Sequence, residues 1–477
     1  MERSKVALVK SQVTPDAAGI DAMIRQAMDL LGGMGQFVKP GDSVVIKGNF
    51  FAPYPPPVIV DRRTVAALVR QLYEAGASSV TLCEAVSVGT KLGRGQSTEF
   101  VLDEMGVRDA AEAAGARVTC LEDEERVLVK VPDGKCIGEV AYPKLMKDCD
   151  VLVDLPCMKM HGMTLVTLGM KNFQGILNDE QKYYAHRDDL EQKLVDLFKI
   201  RRPDLTLIDG LTAMEGNGAG EGGTPHPMNL FVASADVVAA DAVATACMGI
   251  EDVFMVPINR IADYDGIGNG RLENIDVVGE RIDDVKEKFV LPDSFTQPQD
   301  RHVTATYPNV DVRIGGACRQ CWLMAEGVCK TLSKIGDEKF TVLVGSDPKL
   351  PNGITTPLEN VVVLGDCACS ATGNIKELRN RMLLEEKGVM APGCPPYRPA
   401  TAIIERSLTQ RGLLDPAAKK AGGQKKTKQF YDYYKAIDPT SPRASRRRTE
   451  HFRRRSKNEQ ACRIPQRPAG RGPRRHR

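Results

Sequence analysis

Short apolar runs alternate with longer segments of helical spacing along the first 250 residues. Buried strands are predicted at residues 5–10, 44–46, 79–83, 117–121, 151–155, 205–208 and 230–232. Helices are predicted between them, over residues 16–31, 61–75 and 236–248. Strands that alternate with helices of this length favour an α/β fold, with a mostly parallel sheet flanked by helices.

The pattern changes after about residue 290, where the periodicity weakens and cysteines become frequent. Strands are predicted again at 340–344 and 361–364, followed by a helix over 375–386. These elements indicate a second, smaller, cysteine-rich α/β module. The residues after it are mostly Lys, Arg, Gly, Gln and Ser and predict a disordered tail. The predicted division is a first domain, the cysteine-rich module and the basic tail: 1–300, 308–408 and 415–477.

Charge is unevenly distributed along the 477 residues. Residues 441–477 hold 14 Lys and Arg against two acids, a net charge of +12, so the rest of the chain carries −9 within an overall charge of +3. A basic, unstructured tail attracts nucleic acid or acidic membrane only weakly and without sequence preference, and no aromatic recognition module accompanies it. We therefore expect no specific nucleic-acid partner.

The chain lacks the features of an exported or membrane-spanning protein. Residues 1–12 are charged and predict a strand rather than a secretory signal. The longest apolar stretch, 230–250, carries Asp236 and Asp241, which a bilayer would penalise, so no membrane span is predicted. Thirteen cysteines without an export signal indicate a reducing compartment, and we expect a cytoplasmic protein.

Six cysteines are concentrated in the predicted second module. They are Cys318, Cys321, Cys329, Cys367, Cys369 and Cys394. Their flanking loops are rich in glycine, where a thiol has no packing role, so we predict metal ligands, and thiolates suit Zn or iron–sulfur clusters. The six could serve one 4Fe–4S cluster with two spare thiols, or two sites. Cysteines that stand alone on apolar runs are expected to be buried thiols: Cys83, Cys120, Cys136, Cys149, Cys157 and Cys247.

Zinc is the main alternative to an iron–sulfur cluster. A structural Zn site usually has two Cys-x2-Cys pairs, and this module has one, Cys318 with Cys321. Residues 366–368 and 392–396, within a stretch of about thirty residues, resemble the cluster-binding pattern in the small iron–sulfur subunit of respiratory complex I and of nickel–iron hydrogenases. In that pattern a proline after the cysteine stiffens a loop whose backbone amides can face the cluster. The resemblance favours a 4Fe–4S cluster over Zn.

A basic segment follows the predicted strand 151–155, at a place where parallel sheets bind ligands. Its polar side chains are Lys159, His161, Thr164, Thr167, Lys171 and Asn172. Lys159 and His161 are two residues apart, so their side chains share a face if the chain is extended. Thr164, Thr167 and Lys171 repeat at helical spacing. Two cations, an imidazole, two hydroxyls and an amide suit an anionic substrate such as a carboxylate or phosphate.

A glycine loop lies further along the chain. Residues 218–223 match the Gly-x-Gly-x-x-Gly spacing of dinucleotide sites, but nine residues separate them from the strand and no helix follows, so we do not predict such a site. The amides of Gly218 and Gly220 could still approach an anionic substrate closely. Glu215, at the edge of this loop, or Asp241 could form an acid/base or metal-binding pair with the imidazole of the basic segment.

The basic segment is part of a wider resemblance. Its Lys-x-His…Thr…Lys-Asn-x-x-Gly run resembles the signature of the domain-of-unknown-function 362 family. Further similar segments are 46–49, 208–210, 214–218 and 234–242. The resemblance covers about residues 5–278 and implies a redox or metal-linked role, since family members often carry an iron–sulfur module. This chain departs from the family in carrying its six cysteines where many members have a ferredoxin-like insert.

We therefore predict an iron–sulfur redox enzyme that acts on an anionic small molecule at the edge of the sheet. Lys159 and Lys171 would hold the negative charge of the substrate, and Asn172 would orient it. His161 would move a proton, with Glu215 as a partner. Two alternatives remain open: an electron-transfer or cluster-carrying protein whose partner is another protein, and a non-redox enzyme with a structural Zn.

Overall fold

The computed structural model describes nearly all of the first 415 residues and a short segment nearer the C-terminus. The described residues are 2–187, 189–220, 222–296, 307–350, 353–373, 375–394, 396, 398–415 and 431–440. Within them the chain forms a large mixed sheet, a smaller parallel sheet and a separate hairpin. Most of the predicted tail, residues 416–430 and 441–477, lies outside the described residues.

The large sheet is built from the first 280 residues. Its strands and those of the separate hairpin are β1 (Ser4–Lys10), β2 (Ser43–Lys47), β3 (Ser79–Glu84), β4 (Arg117–Cys120), β5 (Arg126–Lys130), β6 (Glu139–Pro143), β7 (Val151–Asp154), β8 (Cys157–His161), β9 (Leu165–Thr167), β10 (Leu205–Gly216), β11 (Gly223–His226), β12 (Leu230–Ser234) and β13 (Ile275–Gly279). The order is β13-β1-β12-β10-β7-β2-β3-β4, with β8 and β11 also paired to β10, and β9 paired to β8. Strands β10, β7, β2, β3 and β4 are parallel, while β12 is antiparallel to both of its neighbours. The predicted mostly parallel α/β sheet is confirmed.

Helices connect these strands. They are α1 (Ala17–Leu30), α2 (Arg62–Glu74), α3 (Val88–Arg94), α4 (Thr98–Glu104), α5 (Val107–Ala113), α6 (Lys144–Asp148), α7 (Gly169–Asn172), α8 (Asp179–Ala185), α9 (Leu190–Phe198), α10 (Val237–Cys247), α11 (Pro257–Tyr264), α12 (Ile282–Val285) and α13 (Asp293–Thr296). The helices predicted at 16–31, 61–75 and 236–248 are α1, α2 and α10. Each begins where an aspartate, Asp16, Asp61 or Asp236, accepts a backbone N–H of the first turn.

Both faces of the large sheet are buried. In β2, Val44 and Ile46 pack with α1 and α2 on one face, while Val45 belongs to the hydrophobic cluster on the other face, which contains α10. Burial on both sides explains why the parallel strands are continuous apolar runs in the sequence. Polar side chains are therefore placed at the strand ends, and Lys47 and Glu84 are the last residues of β2 and β3.

A second sheet follows. Its strands β14 (Val310–Ile314), β15 (Phe340–Val344), β16 (Val361–Leu364) and β17 (Val389–Ala391) are parallel and lie in chain order. Its helices are α14 (Arg319–Leu332), α15 (Asp366–Ser370), α16 (Lys376–Leu384) and α17 (Arg398–Gln410). Trp322 of α14 is fully buried against one face of this sheet. Since the strands are parallel, the loops after β14, β16 and β17 meet at one edge.

The basic segment differs from its predicted conformation. Cys157–His161 is strand β8, which pairs with β9 in an antiparallel hairpin, so the helical spacing of Thr164, Thr167 and Lys171 does not place them on one helix. The hairpin is stabilised because β8 also pairs with the extended end of β10, a tertiary contact that local periodicity does not show. Lys159 and His161 do share a face, as predicted for an extended chain.

Part of the predicted disordered tail is ordered. Residues 431–437 form a helix, α18, that packs at the start of α2. The buried Tyr434 donates its hydroxyl to Asp61 Oδ1 at 3.0 Å. The Arg62 guanidinium lies 2.8 Å from Asp438 Oδ2. The chain therefore returns from the second sheet to the first.

Among the described residues, none of the helices combines the length and the apolar character that crossing a bilayer requires.

Replacing Tyr434 by Ala is expected to destabilise the protein by about 3 kcal/mol, since it removes a buried aromatic ring. Replacing it by Phe should cost only about 1 kcal/mol, for the lost hydrogen bond to Asp61. Urea unfolding of the full chain measures both values. Lys435→Ala, on the exposed face of the same helix, is the control. A Tyr434→Ala variant as stable as this control would show that α18 does not contribute to stability.

Candidate functional site

A cavity of about 250 Å³ opens at the carboxyl ends of β2 and β3, beside the β8–β9 hairpin and helices α7 and α8. We call it the lysine cavity. Its polar lining side chains are Lys47, Asn49, Glu84, Ser87, Lys159, His161, Thr167, Lys171, Asn172, Gln174, Lys182 and His186. The predicted residues Lys159, His161, Lys171 and Asn172 are thus brought together.

A buried ion pair forms one side of the cavity. Lys47 Nζ lies 2.7 Å from Glu84 Oε1, and both side chains are about 1% exposed. The other Glu84 oxygen accepts the backbone N–H of Phe50 at 2.6 Å. A Cβ atom at Gly175 would lie 2.8 Å from Lys47 Nζ and 3.0 Å from Glu84 Oε1. Only glycine therefore allows the chain after α7 to pass so close to the pair.

Lys159 and Lys171 are buried with neutral partners. Lys159 Nζ donates to Asn49 Oδ1 at 2.6 Å and to the Val58 carbonyl at 2.9 Å. Lys171 Nζ donates to Gln174 Oε1. Burial lowers the pKa of Lys159 to about 8 and that of Lys171 to about 7. Each ammonium group has lost hydration and gained only neutral oxygens in return.

Lys182, on α8, is likewise buried with neutral hydrogen-bond partners. Its Nζ donates to the carbonyls of Ala85 and Val86, at 3.3 and 3.1 Å, and burial lowers its pKa to about 8. Within the described part of the chain, no carboxylate lies within ion-pair distance of Lys159, Lys171 or Lys182. Three of the four cavity lysines therefore lack a charged partner there.

His161 is a neutral imidazole with an assignable tautomer. Its Nδ1 accepts the backbone N–H groups of Met163 at 3.0 Å and Thr164 at 3.4 Å, which leaves the ring proton on Nε2. Burial, followed by the positive charge of Lys171, holds the pKa of His161 well below its usual value. In the empty cavity this ring is a hydrogen-bond donor through Nε2 rather than a cation.

His186, which the sequence reasoning did not favour, also lines the cavity. Its Nδ1 donates to the Lys182 carbonyl at 2.8 Å, and the Gln174 amide nitrogen lies 2.6 Å from its Nε2. Burial and the charge of Lys171 lower its pKa to about 3. Its side chain is therefore fixed and neutral at the end of α8.

Asn172 links the cavity to a buried carboxyl group behind it. Its Nδ2 donates to Asp154 Oδ1 at 2.8 Å, and its Oδ1 accepts from Asn49 at 2.9 Å. Burial raises the pKa of Asp154 well above its usual value, and its Oδ2 has no hydrogen-bond partner among the described residues. The amide of Asn172 is thereby fixed from both ends.

Asp241 supports the cavity rather than lining it. Its carboxylate accepts the backbone N–H groups of Gly169 at 2.7 Å and Met170 at 2.9 Å. Burial raises its pKa to about 7. Asp241 therefore fixes the start of α7, the helix that carries Lys171 and Asn172.

Other predicted site residues lie away from the cavity lining. Glu215 accepts the Val290 N–H at 2.9 Å and lies 3.3 Å from the imidazole of His226, so it does not partner His161. The Thr164 hydroxyl donates to the Val166 carbonyl within the hairpin turn.

The glycine loop reaches the cavity at one residue. The Gly218 carbonyl accepts the N–H of Gly162, just after β8, and Ala219 lines the cavity. A Cβ atom at Gly220 would meet no atom within 4 Å. Neither predicted glycine is itself part of the lining.

Sequence reasoning missed several lining residues: Lys47, Asn49, Glu84, Lys182 and His186. The rule that ligands bind beyond parallel strand ends pointed to the loops after β2 and β3, so the first three could have been found. The other two are placed by a short helix whose position depends on tertiary packing.

Four of the six predicted cysteine ligands converge at one edge of the small sheet. Cys318 and Cys321 lie at the start of α14, Cys367 follows β16, and Cys394 follows β17. A hydrogen bond with Cys318, then burial and the charges of Cys318, Cys394 and Cys367, raise the pKa of Cys321. Burial, with the charges of Cys367 and Cys318, raises the pKa of Cys394. We call these residues the four-thiol group.

The remaining two predicted ligands lie elsewhere. Cys329 is fully buried in the core between α14 and the sheet. Cys369 packs against the opposite face, with its sulfur 3.6 Å from the Val363 carbonyl. Among the residues that the structure describes, no set of three or more His, Cys, Asp or Glu side chains is arranged to hold a metal ion.

The four-thiol group lies next to the lysine cavity. Cys394 Sγ is 3.9 Å from the carbonyl oxygen of Arg187, the residue after His186. Leu323 of α14 would lie 3.4 Å from a Cβ atom at Gly162, which follows β8. The thiol edge of the second sheet therefore packs on the elements that form the cavity.

Residues 44–246, within the α/β domain, match the family model described as "Domain of unknown function (DUF362)". All cavity-lining residues fall within this range, and the four-thiol group lies outside it. A thylakoid-associated protein of Synechocystis sp. is 29% identical over 255 residues, which cover 52% of this chain and 75% of that protein.

A solved structure was also found. The lactate racemase apoprotein from Thermoanaerobacterium thermosaccharolyticum has a TM-score of 0.32 and 12% identity, over 50% of this chain and 55% of the racemase chain. This chain therefore spans about half of the length of that protein.

Replacing Lys171 by Met is expected to stabilise the unliganded protein by roughly 1–4 kcal/mol at pH 7. The pKa of Lys171 is lowered from 10.5 to about 7, so the destabilising effect of its burial is full below pH 7. Between these two values the unfolded chain binds a proton that the folded chain lacks, so this effect disappears as the pH rises toward 10.5.

Denaturant unfolding of wild type and variant between pH 6 and pH 10 measures this difference. Lys130→Met, on the exposed β5–β6 hairpin, is the control and should show no such pH-dependent gain. A Lys171→Met variant that is less stable than wild type at pH 7 would contradict the prediction.

Proposed function

We propose that this protein is an iron–sulfur redox enzyme that acts on a small anionic molecule. The cluster would be held by Cys318, Cys321, Cys367 and Cys394, and the substrate would bind in the lysine cavity. The observation that carries the proposal is the 3.9 Å contact between Cys394 Sγ and the Arg187 carbonyl, one residue from the cavity residue His186. The proposed cluster ligands and the proposed substrate cavity would thus be neighbours.

Thiolates such as those of the four-thiol group suit either a zinc ion or an iron–sulfur cluster. The proposal of a cluster rests on the resemblance of residues 366–368 and 392–396 to a cluster-binding pattern. Cys318 and Cys321 share a hydrogen bond between their sulfurs, and the charges of Cys318, Cys367 and Cys394 act on Cys321. When bound, such a cluster supplies one-electron transfer, with a potential set by hydrogen bonds and solvent exposure.

The supporting loops also suit a cluster. The backbone N–H groups of Gln320 and Cys321 are directed at the sulfur of Cys318, as is common at iron–sulfur sites. A Cβ atom at Gly365 would lie 3.4 Å from Cys321 Sγ and 3.6 Å from the Gly393 carbonyl. Those distances are ordinary van der Waals contacts, and glycine suits this turn because its φ is +88°.

Residues of the cavity would bind the substrate. Lys159 and Lys171 would hold the negative charge, with Asn172 orienting the ligand through its fixed amide. His161 would donate a hydrogen bond to the substrate through its Nε2–H. The N–H groups of Met163 and Thr164 occupy its Nδ1 lone pair, so a proton-transfer role for the ring stays a prediction from the sequence. Glu215 has no part in this proposal, because it pairs with His226.

The buried lysines argue against a protein that only carries electrons. Burying ammonium groups without carboxylate partners is costly, and an electron carrier has no need of them. A cytoplasmic location and the identity of a redox partner protein remain predictions from the sequence.

The metal content of wild-type protein tests the proposal. Protein purified without oxygen should contain about four iron and four sulfide per chain and show thiolate-to-iron absorption. Replacing any member of the four-thiol group by Ser should remove at least half of the iron. Cys329→Ala and Cys369→Ala are matched controls that should keep it. A colourless protein containing zinc would refute the redox function, and equal iron loss in the two controls would refute the choice of ligands.

A further inference from the structure

The charges of the lysine cavity point to the number of anionic groups on its ligand. Lys47 is neutralised by Glu84 at 2.7 Å. The ammonium groups of Lys159, Lys171 and Lys182 donate their hydrogen bonds to neutral amide and carbonyl oxygens. Among the residues that line the cavity, four lysines and one glutamate, when ionised, leave an excess of three positive charges around about 250 Å³. Carboxylates outside the lining act on two of these lysines from a greater distance: Glu191 on Lys171, and Glu122 and Asp179 on Lys182.

The three unbalanced ammonium groups come from separate elements. Lys159 is on β8, Lys171 on α7 and Lys182 on α8. They are 1%, 8% and 4% exposed. A single carboxylate has two oxygens and satisfies one lysine or one arginine fork, so three ammonium groups offer hydrogen bonds and charge to more than one anionic group.

The volume limits the size of the ligand. A cavity of about 150 Å³ accommodates benzene, so about 250 Å³ admits a compact molecule and is below the usual range for drug-sized ligands. The aromatic ring of Phe51 on the cavity wall is already occupied, with Lys159 Nζ 4.7 Å from its centroid. A nucleotide base would therefore find little room and no free stacking face on that ring.

We infer that the ligand of the lysine cavity is a small polyanion that carries two or three carboxylate or phosphate groups on a short carbon skeleton. The inference rests on the proposed function, in which the cavity binds a small anion. Each anionic group would pair with one of the three ammonium groups, while the Nε2 proton of His161 and the amide of Asn172 would select polar substituents between them.

Isothermal titration of the full chain with a graded series tests this inference. Butyrate, glutarate and tricarballylate carry one, two and three carboxylates on similar skeletons. The dissociation constant should fall about tenfold with each added carboxylate. Phosphoglycerate serves as a second polyanion, and binding tighter than that of tricarballylate, which carries a similar charge at about pH 7.5, would identify phosphate as the preferred group.

Lysine variants connect the preference to the cavity. In Lys171→Met and in Lys182→Met, the advantage of tricarballylate over glutarate should be lost, while Lys130→Met should keep it. Circular dichroism confirms that the variants are folded. A monocarboxylate that binds as tightly as tricarballylate, or variants that keep the full preference, would overturn the inference.

The outcome separates this inference from the redox proposal. Protein that contains the cluster but shows no preference for polyanions would refute the polyanion alone. Protein that lacks iron but prefers polyanions through Lys171 and Lys182 would refute the redox function and support the polyanion.

Discussion

Desolvation of positive charge is the constraint on which the site depends. The fold removes four lysine side chains from water at one edge of the large sheet and provides a carboxylate for one of them, Lys47. The other three are held by amide and carbonyl oxygens that preserve their geometry without neutralising them. Such an arrangement lowers the stability of the fold, because three buried ammonium groups have lost their hydration without gaining a carboxylate. The buried carboxylate of Asp241 contributes by fixing the backbone of α7.

The geometry of parallel sheets determines where this chemistry lies. Side chains within the strands are buried on both faces, so polar groups collect at the carboxyl ends. The same rule operates in the second sheet, where the loops after three parallel strands bring four thiols together. The two carboxyl edges face one another across the contact between Cys394 and Arg187. A site of two parts thus follows from two sheets of the same kind.

Local patterns in the sequence predicted most strands and the long helices, because apolar runs and acidic caps are local properties. The alternation of Lys159 and His161 correctly placed both on one face. The helical spacing of Thr164, Thr167 and Lys171 predicted the wrong conformation for this segment. It forms a hairpin because β8 pairs with the far end of β10, a tertiary contact that local spacing does not show. Spacing also could not separate Cys321 from Cys329, since both are on α14 and only packing against the sheet determines which thiol faces the edge.

Helix α18 brings the chain back from the second sheet to the large domain. Residues 310–410 leave the large domain and come back to it, so the cysteine-rich module is an insertion held at both ends rather than a terminal appendage. Two attachments restrict the rotation of the module relative to the cavity. The edge that carries the four thiols is therefore held in a fixed orientation toward the lysine cavity.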